Sequence, residues 1–263
     1  MSETVIFSDM DGTFLDHHTY SYKKAMPAVN RIKKNGVPLV FCSSRVRKEI
    51  EVYNKGLRLK HPFISENGAA IFIPAKYFKH KFRYTYIKSG YKVIQFGTKY
   101  SRLRTVLNKV KKETGYSIKG FGDFTLKELA KNAGISSGKA KIAKQREFTE
   151  PFILIDGNIE KIKKLIKKNK LNYTKGGRYH YIMGDNDKGR AVNVLKKMFK
   201  KEFGKIRTIG LGDGLNDMPM LKNVDVGFQV QNYKGKFNFT KKGIKQVKKV
   251  GPAGFNEAVV GSL

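Results

Sequence analysis

The chain has 263 residues, and its 54 Lys and Arg against 21 Asp and Glu give a formal net charge of +33. Its single cysteine, Cys42, excludes an intrachain disulfide framework and a cysteine-based zinc site. No apolar run approaches the ~20 residues that a membrane span needs. The segment MSETVIFSDMDG carries acids where a signal peptide would be basic and then apolar. We therefore expect a reduced, soluble, cytoplasmic protein with its own hydrophobic core.

The large positive charge predicts incidental, salt-sensitive binding to polyanions. No arginine-rich block, aromatic RNA-binding signature or zinc-finger spacing accompanies it, so we expect no specific nucleic-acid partner. A basic polyanion-binding protein on an inactive enzyme fold remains the alternative of a different class.

The first third of the chain alternates between strand and helix patterns. An apolar run at Val5–Phe7 leads into Asp-Met-Asp-Gly-Thr, and helical spacing covers Tyr22–Asn35. A second apolar strand at Val37–Cys42 precedes a charged helix from about Val46, and Phe63–Ile71 has the pattern of strand, turn and strand. This order predicts an α/β fold, a doubly wound parallel sheet with helices on both faces.

The middle of the chain has a different character, because aromatic and basic residues dominate from about residue 83 to residue 184. Strands are predicted at Lys92–Phe96 and Phe152–Ile155, and helices at Ser101–Lys112, Thr125–Ala133 and Ile159–Lys168. After Lys188 the α/β rhythm resumes, with a helix at Ala191–Lys201 and a strand at Ile206–Leu211. We expect a catalytic core of residues 1–82 and 185–263 and an inserted α+β cap of residues 83–184.

Two carboxylates, Asp9 and Asp11, follow the first predicted strand. In extended backbone they lie on one side of the chain, at the sheet edge where ligands bind in such folds. A carboxylate is ionised at neutral pH, so Asp9 needs no base to act as a nucleophile. It needs a hard cation such as Mg²⁺ to offset the charge of an anionic phosphate. An aspartyl-phosphate would form, and a second carboxylate would transfer protons. An ordinary acidic turn is the alternative reading.

A second acidic segment, GDGLND, follows the strand at Ile206–Leu211 and contains Asp213 and Asp217. Parallel strands would bring it beside the first segment, as a metal site requires. Ser43 and Ser44 follow the second strand at a helix start, where hydroxyl and amide groups can hold phosphate. For the GDGLND segment, the alternative reading is a glycine-rich loop with acidic turn residues and no bound metal.

The chain resembles the haloacid dehalogenase superfamily in the order of its four motifs: strand-DxDGT, strand-Ser, Lys-Gly-helix and strand-GDxxND. The insertion resembles the cap of the Cof-type phosphatases of that superfamily. The resemblance implies that Asp9 is the nucleophile and Asp11 the general acid and base. It implies that Ser43 and Lys188 hold the phosphoryl group. The implied Mg²⁺ site consists of the Asp9 carboxylate, the Asp11 backbone carbonyl and Asp213, with Asn216 and Asp217 in support.

Three further segments, residues 66–74, 176–184 and 251–258, resemble the mannosyl-3-phosphoglycerate phosphatase family. This narrower resemblance implies a small anionic substrate, 2-O-(α-mannosyl)-3-phosphoglycerate, and its hydrolysis to mannosylglycerate and phosphate. It implies that Arg178 and His180 contribute to the substrate pocket. Glucosyl-3-phosphoglycerate or another sugar phosphate remains the alternative substrate, and the oligomeric state stays open.

Overall fold

The computed structural model describes residues 3–263, which form thirteen strands and nine α-helices. The strands are β1 (Glu3–Ser8), β2 (Leu39–Phe41), β3 (Phe63–Ser65), β4 (Ala70–Pro74), β5 (Tyr86–Lys88), β6 (Tyr91–Gln95), β7 (Ser117–Gly120), β8 (Thr149–Asp156), β9 (Asn172–Gly176), β10 (Tyr179–Met183), β11 (Ile206–Gly212), β12 (Val226–Gln231) and β13 (Ile244–Val250). The helices are α1 (Met26–Lys34), α2 (Arg47–Gly56), α3 (Tyr100–Thr114), α4 (Leu126–Ala133), α5 (Ser137–Ala143), α6 (Ile159–Lys168), α7 (Lys188–Phe203), α8 (Met218–Lys222) and α9 (Gly251–Val260).

The central sheet is fully parallel, with strand order β13-β12-β11-β1-β2. Successive side chains of β1 point to opposite faces, as the pleat of a strand requires. Ile6 packs in the apolar cluster that contains α1 and α9, whereas Val5 and Phe7 pack in the cluster that contains α7 and α8. Helices therefore cover both faces, and the predicted doubly wound sheet is confirmed.

The register between β1 and β11 places the two acidic segments side by side. Ser8 of β1 pairs with Leu211 of β11, so the two strands end at the same edge of the sheet. The amide of Asp9 then donates to the carbonyl of Leu211 at 2.9 Å. The loops that follow the two strands start next to one another.

A second, antiparallel sheet, β7-β8-β10-β9, builds the inserted cap. Helices α3 and α6 pack on one face of this sheet, and α4 and α5 pack on the other. Tyr179 and Tyr181 of β10 face α4 and α5, whereas Ile182 faces α3 and α6. The predicted α+β insertion into a parallel-sheet core is confirmed.

A third sheet, β3-β4-β6-β5, is also antiparallel and lies between these two regions in the chain. It joins the central sheet through a parallel bridge between Cys42 and Ile64, and Val93 of β6 packs in the α1–α9 cluster. The division into residues 1–82 with 185–263 and residues 83–184 stays a prediction; β5 and β6 lie within the latter range, yet β6 pairs with β4 of the former and β5 pairs with β6.

The predicted helix at Tyr22–Asn35 begins as a 3-10 turn at Lys23–Ala25 and becomes α-helical only at Met26. Pro27 occupies the first turn of α1, where its missing amide hydrogen costs no hydrogen bond. Among residues 3–263, none of the helices combines the length and the apolar character that crossing a bilayer takes.

Candidate active site

Gly12 lets the loop after β1 approach the loop after β11. Its φ of +79° belongs to the left-handed region, and a Cβ there would lie 2.9 Å from Oδ2 of Asp213. The hydroxyl of Thr13 donates to Oδ1 of Asp213 at 3.1 Å. The glycine and threonine of the DGT sequence thus join the two acidic loops directly.

Three carboxylates and one lysine meet at this junction. Oxygens of Asp9, Asp213 and Asp217 all lie within 4.8 Å of one another. The ammonium group of Lys188 donates to Oδ1 of Asp9 and to Oδ1 of Asp217, each at 2.6 Å. Oδ2 of Asp217 accepts from the amide of Gly214 at 2.8 Å, which orients this side chain. The structure therefore brings together four residues that span more than two hundred positions of the sequence.

The electrostatics of the cluster show a surplus of negative charge. Burial raises the pKa of Asp9 to about 7, assisted by the Asp217 carboxylate and opposed by Lys188. Burial, Asp217 and Asp9 also raise the pKa of Asp213 well above its ordinary range. Burial alone would lower the pKa of Lys188, but Asp217 and Asp9 raise it. One ammonium group does not balance three carboxylates, and closely spaced oxygen donors suit a hard divalent cation such as Mg²⁺.

This imbalance predicts a pH dependence for the metal-free protein. The pKa of Asp9 is about 7 in the folded chain against an ordinary value of 3.8, so between these values the folded chain binds the proton more tightly. The resulting stabilisation is present below pH 3.8 and is lost as the pH rises through 7. We expect the melting temperature in EDTA to fall between pH 5 and pH 7.5, measured by differential scanning fluorimetry. The matched variant Asp9→Asn should show a smaller fall; an identical fall would remove Asp9 as the cause.

Asp11 lies beside the cluster but has a different partner. Its Oδ1 accepts from Nη2 of Arg45 at 2.6 Å, and its Oδ2 accepts from Nε at 2.9 Å. Nη1 of Arg45 donates to Glu49 at 2.8 Å, and the guanidinium lies 5.1 Å from the ring centre of Tyr20. Both carboxylate oxygens of Asp11 are therefore bonded to one fixed cation.

Ser43 and Ser44 lie at the end of β2, close to the same loops. Ser43 is fully buried, and its Oγ accepts from the amide of Arg45 at 3.2 Å. Ser44 lines the cavity described below, and its Oγ accepts from the hydroxyl of Tyr181 at 3.4 Å. Both hydroxyls lie at the sheet edge that carries Asp9.

A cavity of about 450 Å³ separates the cluster from the cap. Asp9, Asp11 and Asp213 line it on the core side. Five cationic side chains also line it: Arg45, Arg146, Lys175, Arg178 and Lys234. Several aromatic and glycine residues of the cap complete the wall. Such a cavity fits a small, strongly anionic molecule with an uncharged portion.

The two cap residues predicted to line the substrate pocket separate in the structure. Arg178 lines the cavity, and its Nη1 donates to the carbonyl of Asn132 at 2.9 Å. His180 lies between Tyr179 and Tyr181 on β10, so its side chain points to the opposite face of the cap sheet. There its ring stacks on Phe152 and its Nδ1 lies 2.6 Å from the hydroxyl of Tyr173. The structure does not bring His180 to the cavity.

Comparison with known proteins agrees with this geometry. A profile of haloacid dehalogenase-like hydrolases matches residues 6–236. The chain belongs to this hydrolase family. The match covers most of the chain, including the cap and both acidic loops, and it confirms the predicted superfamily.

Curated relatives of this hydrolase carry a narrower name. A glucosyl-3-phosphoglycerate/mannosyl-3-phosphoglycerate phosphatase of Methanococcoides burtonii is 47% identical over 97% of this chain and 96% of the relative. A protein of the same name from Persephonella marina is 40% identical over 97% and 95%. A mannosyl-3-phosphoglycerate phosphatase of Pyrococcus furiosus is 36% identical over 86% and 90%. The predicted phosphoric monoester hydrolase is confirmed.

Solved structures support the fold of the hydrolase. A Thermoplasma acidophilum protein has a TM-score of 0.69 at 18% identity and covers 99% of this chain and 98% of its own. A sucrose-phosphatase from Synechocystis has a TM-score of 0.63 at 12% identity, with coverage of 99% and 98%. At these identities the likeness shows a shared fold of core and cap.

Glu66 joins core and cap in this hydrolase, and the sequence reasoning did not single it out. Its buried carboxylate accepts from the amides of Glu147, Phe148 and Thr149 at 3.0, 3.1 and 2.8 Å. The hydroxyl of Thr149 adds a fourth hydrogen bond at 2.8 Å. One core side chain thus holds the segment at which the cap strand β8 begins.

The turn after Glu66 extends this junction to the acidic loop. The side-chain oxygen of Asn67 accepts from Nδ2 of Asn216 at 3.1 Å. Asn216 in turn lies against Gly176 of the cap hairpin, where a Cβ would come within 3.2 Å of its side chain. Gly68, with φ of +85°, leaves no room for a Cβ beside the backbone of Asp187. A single turn therefore contacts the cap, the Asn216 loop and the loop before Lys188.

Replacement of Glu66 by Gln should destabilise the protein by about 2–4 kcal/mol. Three of the four donors bond one carboxylate oxygen, so the amide NH2 of Gln would face the N–H of Glu147 and the three remaining bonds would lose their charged acceptor. Urea unfolding would measure this loss. The matched control is Glu147→Gln in the same segment, whose carboxylate makes a partly exposed pair with Lys88. It should cost less than about 1 kcal/mol. Equal effects of the two substitutions would contradict the assigned role of Glu66.

Proposed function

We propose that this hydrolase is a Mg²⁺-dependent phosphatase that converts 2-O-(α-mannosyl)-3-phosphoglycerate to mannosylglycerate and phosphate. The carrying observation is the Asp9 carboxylate, fixed by Lys188 below a cavity lined by five cationic side chains. Relatives of nearly full length are named for both the glucosyl and the mannosyl ester, which supports glucosyl-3-phosphoglycerate as the alternative substrate.

Asp9 and Asp11 carry the chemistry in this proposal. An oxygen of Asp9 attacks phosphorus, the bond from phosphorus to the ester oxygen breaks, and the leaving alkoxide takes a proton from the Asp11 carboxyl group. Water then attacks the phosphorus of the aspartyl-phosphate, and the Asp11 carboxylate accepts the proton of that water. Because both oxygens of Asp11 are bonded to Arg45, each transfer requires exchange of one of these hydrogen bonds.

Asp9, Asp213 and the backbone carbonyl of Asp11 would hold Mg²⁺, with Asn216 and Asp217 in support. When bound, the ion would offset the charges of the carboxylates and the phosphate. The fit rests on the mutual approach of carboxylate oxygens and on the raised pKa of Asp213. Asp217, expected only as a supporting residue, contributes an oxygen to the same cluster.

Ser43, Ser44 and Lys188 would hold the phosphoryl oxygens. Lys188 already contacts the nucleophile, so its ammonium group can neutralise charge that develops on the transferred group. Arg178, at the cavity wall, would contact the part of the substrate beyond the phosphate.

A phosphate-release screen over mannosyl- and glucosyl-3-phosphoglycerate and simple sugar phosphates tests this proposal. Turnover of a glycosyl-3-phosphoglycerate with Mg²⁺, and loss of turnover in EDTA, are expected. A salt titration of DNA binding, run in parallel, addresses the polyanion-binding alternative. Specific DNA binding without phosphate release from any ester would overturn the proposed function.

A further inference from the structure

We propose that Arg146 of the cap, with the hydroxyl of Tyr181, binds the carboxylate of the substrate's glycerate moiety. This inference rests on the proposed function, because a glycosyl-3-phosphoglycerate carries a carboxylate in addition to its phosphate. It assigns separate groups to the two anions of one small molecule.

The guanidinium of Arg146 is held in place without a direct ion pair, although its charge opposes the rise that burial causes in the pKa of Glu66, the carboxylate that accepts from Thr149. Its Nε donates to the carbonyl of Ala143 at 3.1 Å. Its Nη1 donates to the carbonyl of Ser44 at 2.6 Å and to the hydroxyl of Thr149 at 3.3 Å. Within residues 3–263 it forms no ion pair, and Nη2 has no hydrogen-bond partner. The side chain therefore offers a fixed positive charge and a free N–H edge to the cavity that it lines.

The other cations of the cavity are less suited to this task. Arg45 already bonds Asp11 and Glu49. Lys175, Arg178 and Lys234 are exposed, so water competes for their donors. Arg146 is half-buried, and its guanidinium lies 5.4 Å from the ring centre of Phe121. Partial burial lowers the local dielectric and strengthens a charge-assisted hydrogen bond.

The position of Arg146 matches the dimensions of the substrate. In a 3-phosphoglycerate one carbon separates the carboxylate from the carbon that bears the phosphate ester, so both anions must be bound a few ångströms apart. Arg146 donates to the backbone carbonyl of Ser44, and the side chains of Ser43 and Ser44 are the proposed phosphate ligands. The hydroxyl of Tyr181 donates to Oγ of Ser44 at 3.4 Å, and it would exchange this long hydrogen bond for one to the substrate carboxylate.

A purely structural role, fastening cap to core, would make Arg146 equally important for every substrate. The test is therefore a substrate pair: mannosyl-3-phosphoglycerate and 2-O-mannosylglycerol 3-phosphate, which has a hydroxymethyl group in place of the carboxylate. For Arg146→Gln we expect KM to rise about 10- to 100-fold with the carboxylate substrate and less than about 3-fold with the neutral analogue. Arg146→Lys, which keeps the charge, should restore part of the difference. Lys234→Gln, another cavity cation, should leave the ratio unchanged.

Equal losses on the two substrates would overturn the carboxylate subsite and leave the proposed function standing. Absence of wild-type turnover on the glycosyl-3-phosphoglycerates would overturn both. Product inhibition of the wild-type protein supplies a readout that does not depend on a folded variant. Mannosylglycerate should inhibit more tightly than mannosylglycerol, and equal inhibition would also overturn the subsite.

Discussion

Asp9→Asn is expected to lower the rate of phosphate release by about 10⁴-fold or more, because an amide cannot form the acyl phosphate. The fold should persist, since Asn removes a buried charge that Asp217 and Asp11 repel. Phosphate release under saturating substrate measures the first effect, and thermal unfolding in EDTA at pH 8 measures the second.

The matched control for this substitution is Asp185→Asn. Asp185 lies three residues before Lys188, but its side chain is 97% exposed and lies outside the carboxylate cluster. Its replacement should leave turnover within about twofold of wild type. Substantial activity of Asp9→Asn, with the fold intact, would exclude Asp9 as the nucleophile.

Lys188→Met should reduce both stability and activity. Lys188 is 1% exposed, and its removal leaves the carboxylates of Asp9 and Asp217 buried without a cation. Breaking such a pair by removing one partner costs about 3–5 kcal/mol. We expect this loss in urea unfolding at pH 8 in EDTA, together with a fall of about 10³-fold or more in turnover.

The loss of stability should depend on pH in a definite direction. Without Lys188 the pKa of Asp9 rises further, so at pH 5 the carboxyl group is protonated and needs no cation. The destabilisation should therefore be smaller at pH 5 than at pH 8. Lys197→Met, an exposed lysine of the same helix, should have little effect at either pH. A Lys188→Met penalty that is equal at the two pH values would contradict the charge-pair explanation.

The convergence of Asp9, Asp213 and Lys188 could be predicted because motif order and parallel strands leave few arrangements. The carboxyl ends of adjacent parallel strands meet at one edge, whatever the details of the loops. The position of His180 could also have been predicted. The period of two along a strand places it opposite Tyr179 and Tyr181, away from the cavity.

Other features could not be predicted, because they depend on contacts across the fold. Arg146 is one of 54 basic residues, and nothing local marks it as a cavity residue. Glu66 acts through a turn in which it and Asn67 adopt positive φ, a conformation that neither residue type requires. The pairing of Arg45 with Asp11 joins loops 34 positions apart. The excess of charge over the whole surface has no explanation in the site.

Covalent trapping at Asp9 would show whether this carboxylate is the nucleophile. Wild-type protein mixed with substrate and Mg²⁺, quenched in acid during turnover and reduced with borohydride, would be digested and sequenced by mass spectrometry. We expect homoserine at position 9, the product of reducing an aspartyl-phosphate, and unmodified aspartate at position 11. Modification at another residue, or none during demonstrated turnover, would contradict the assignment of Asp9.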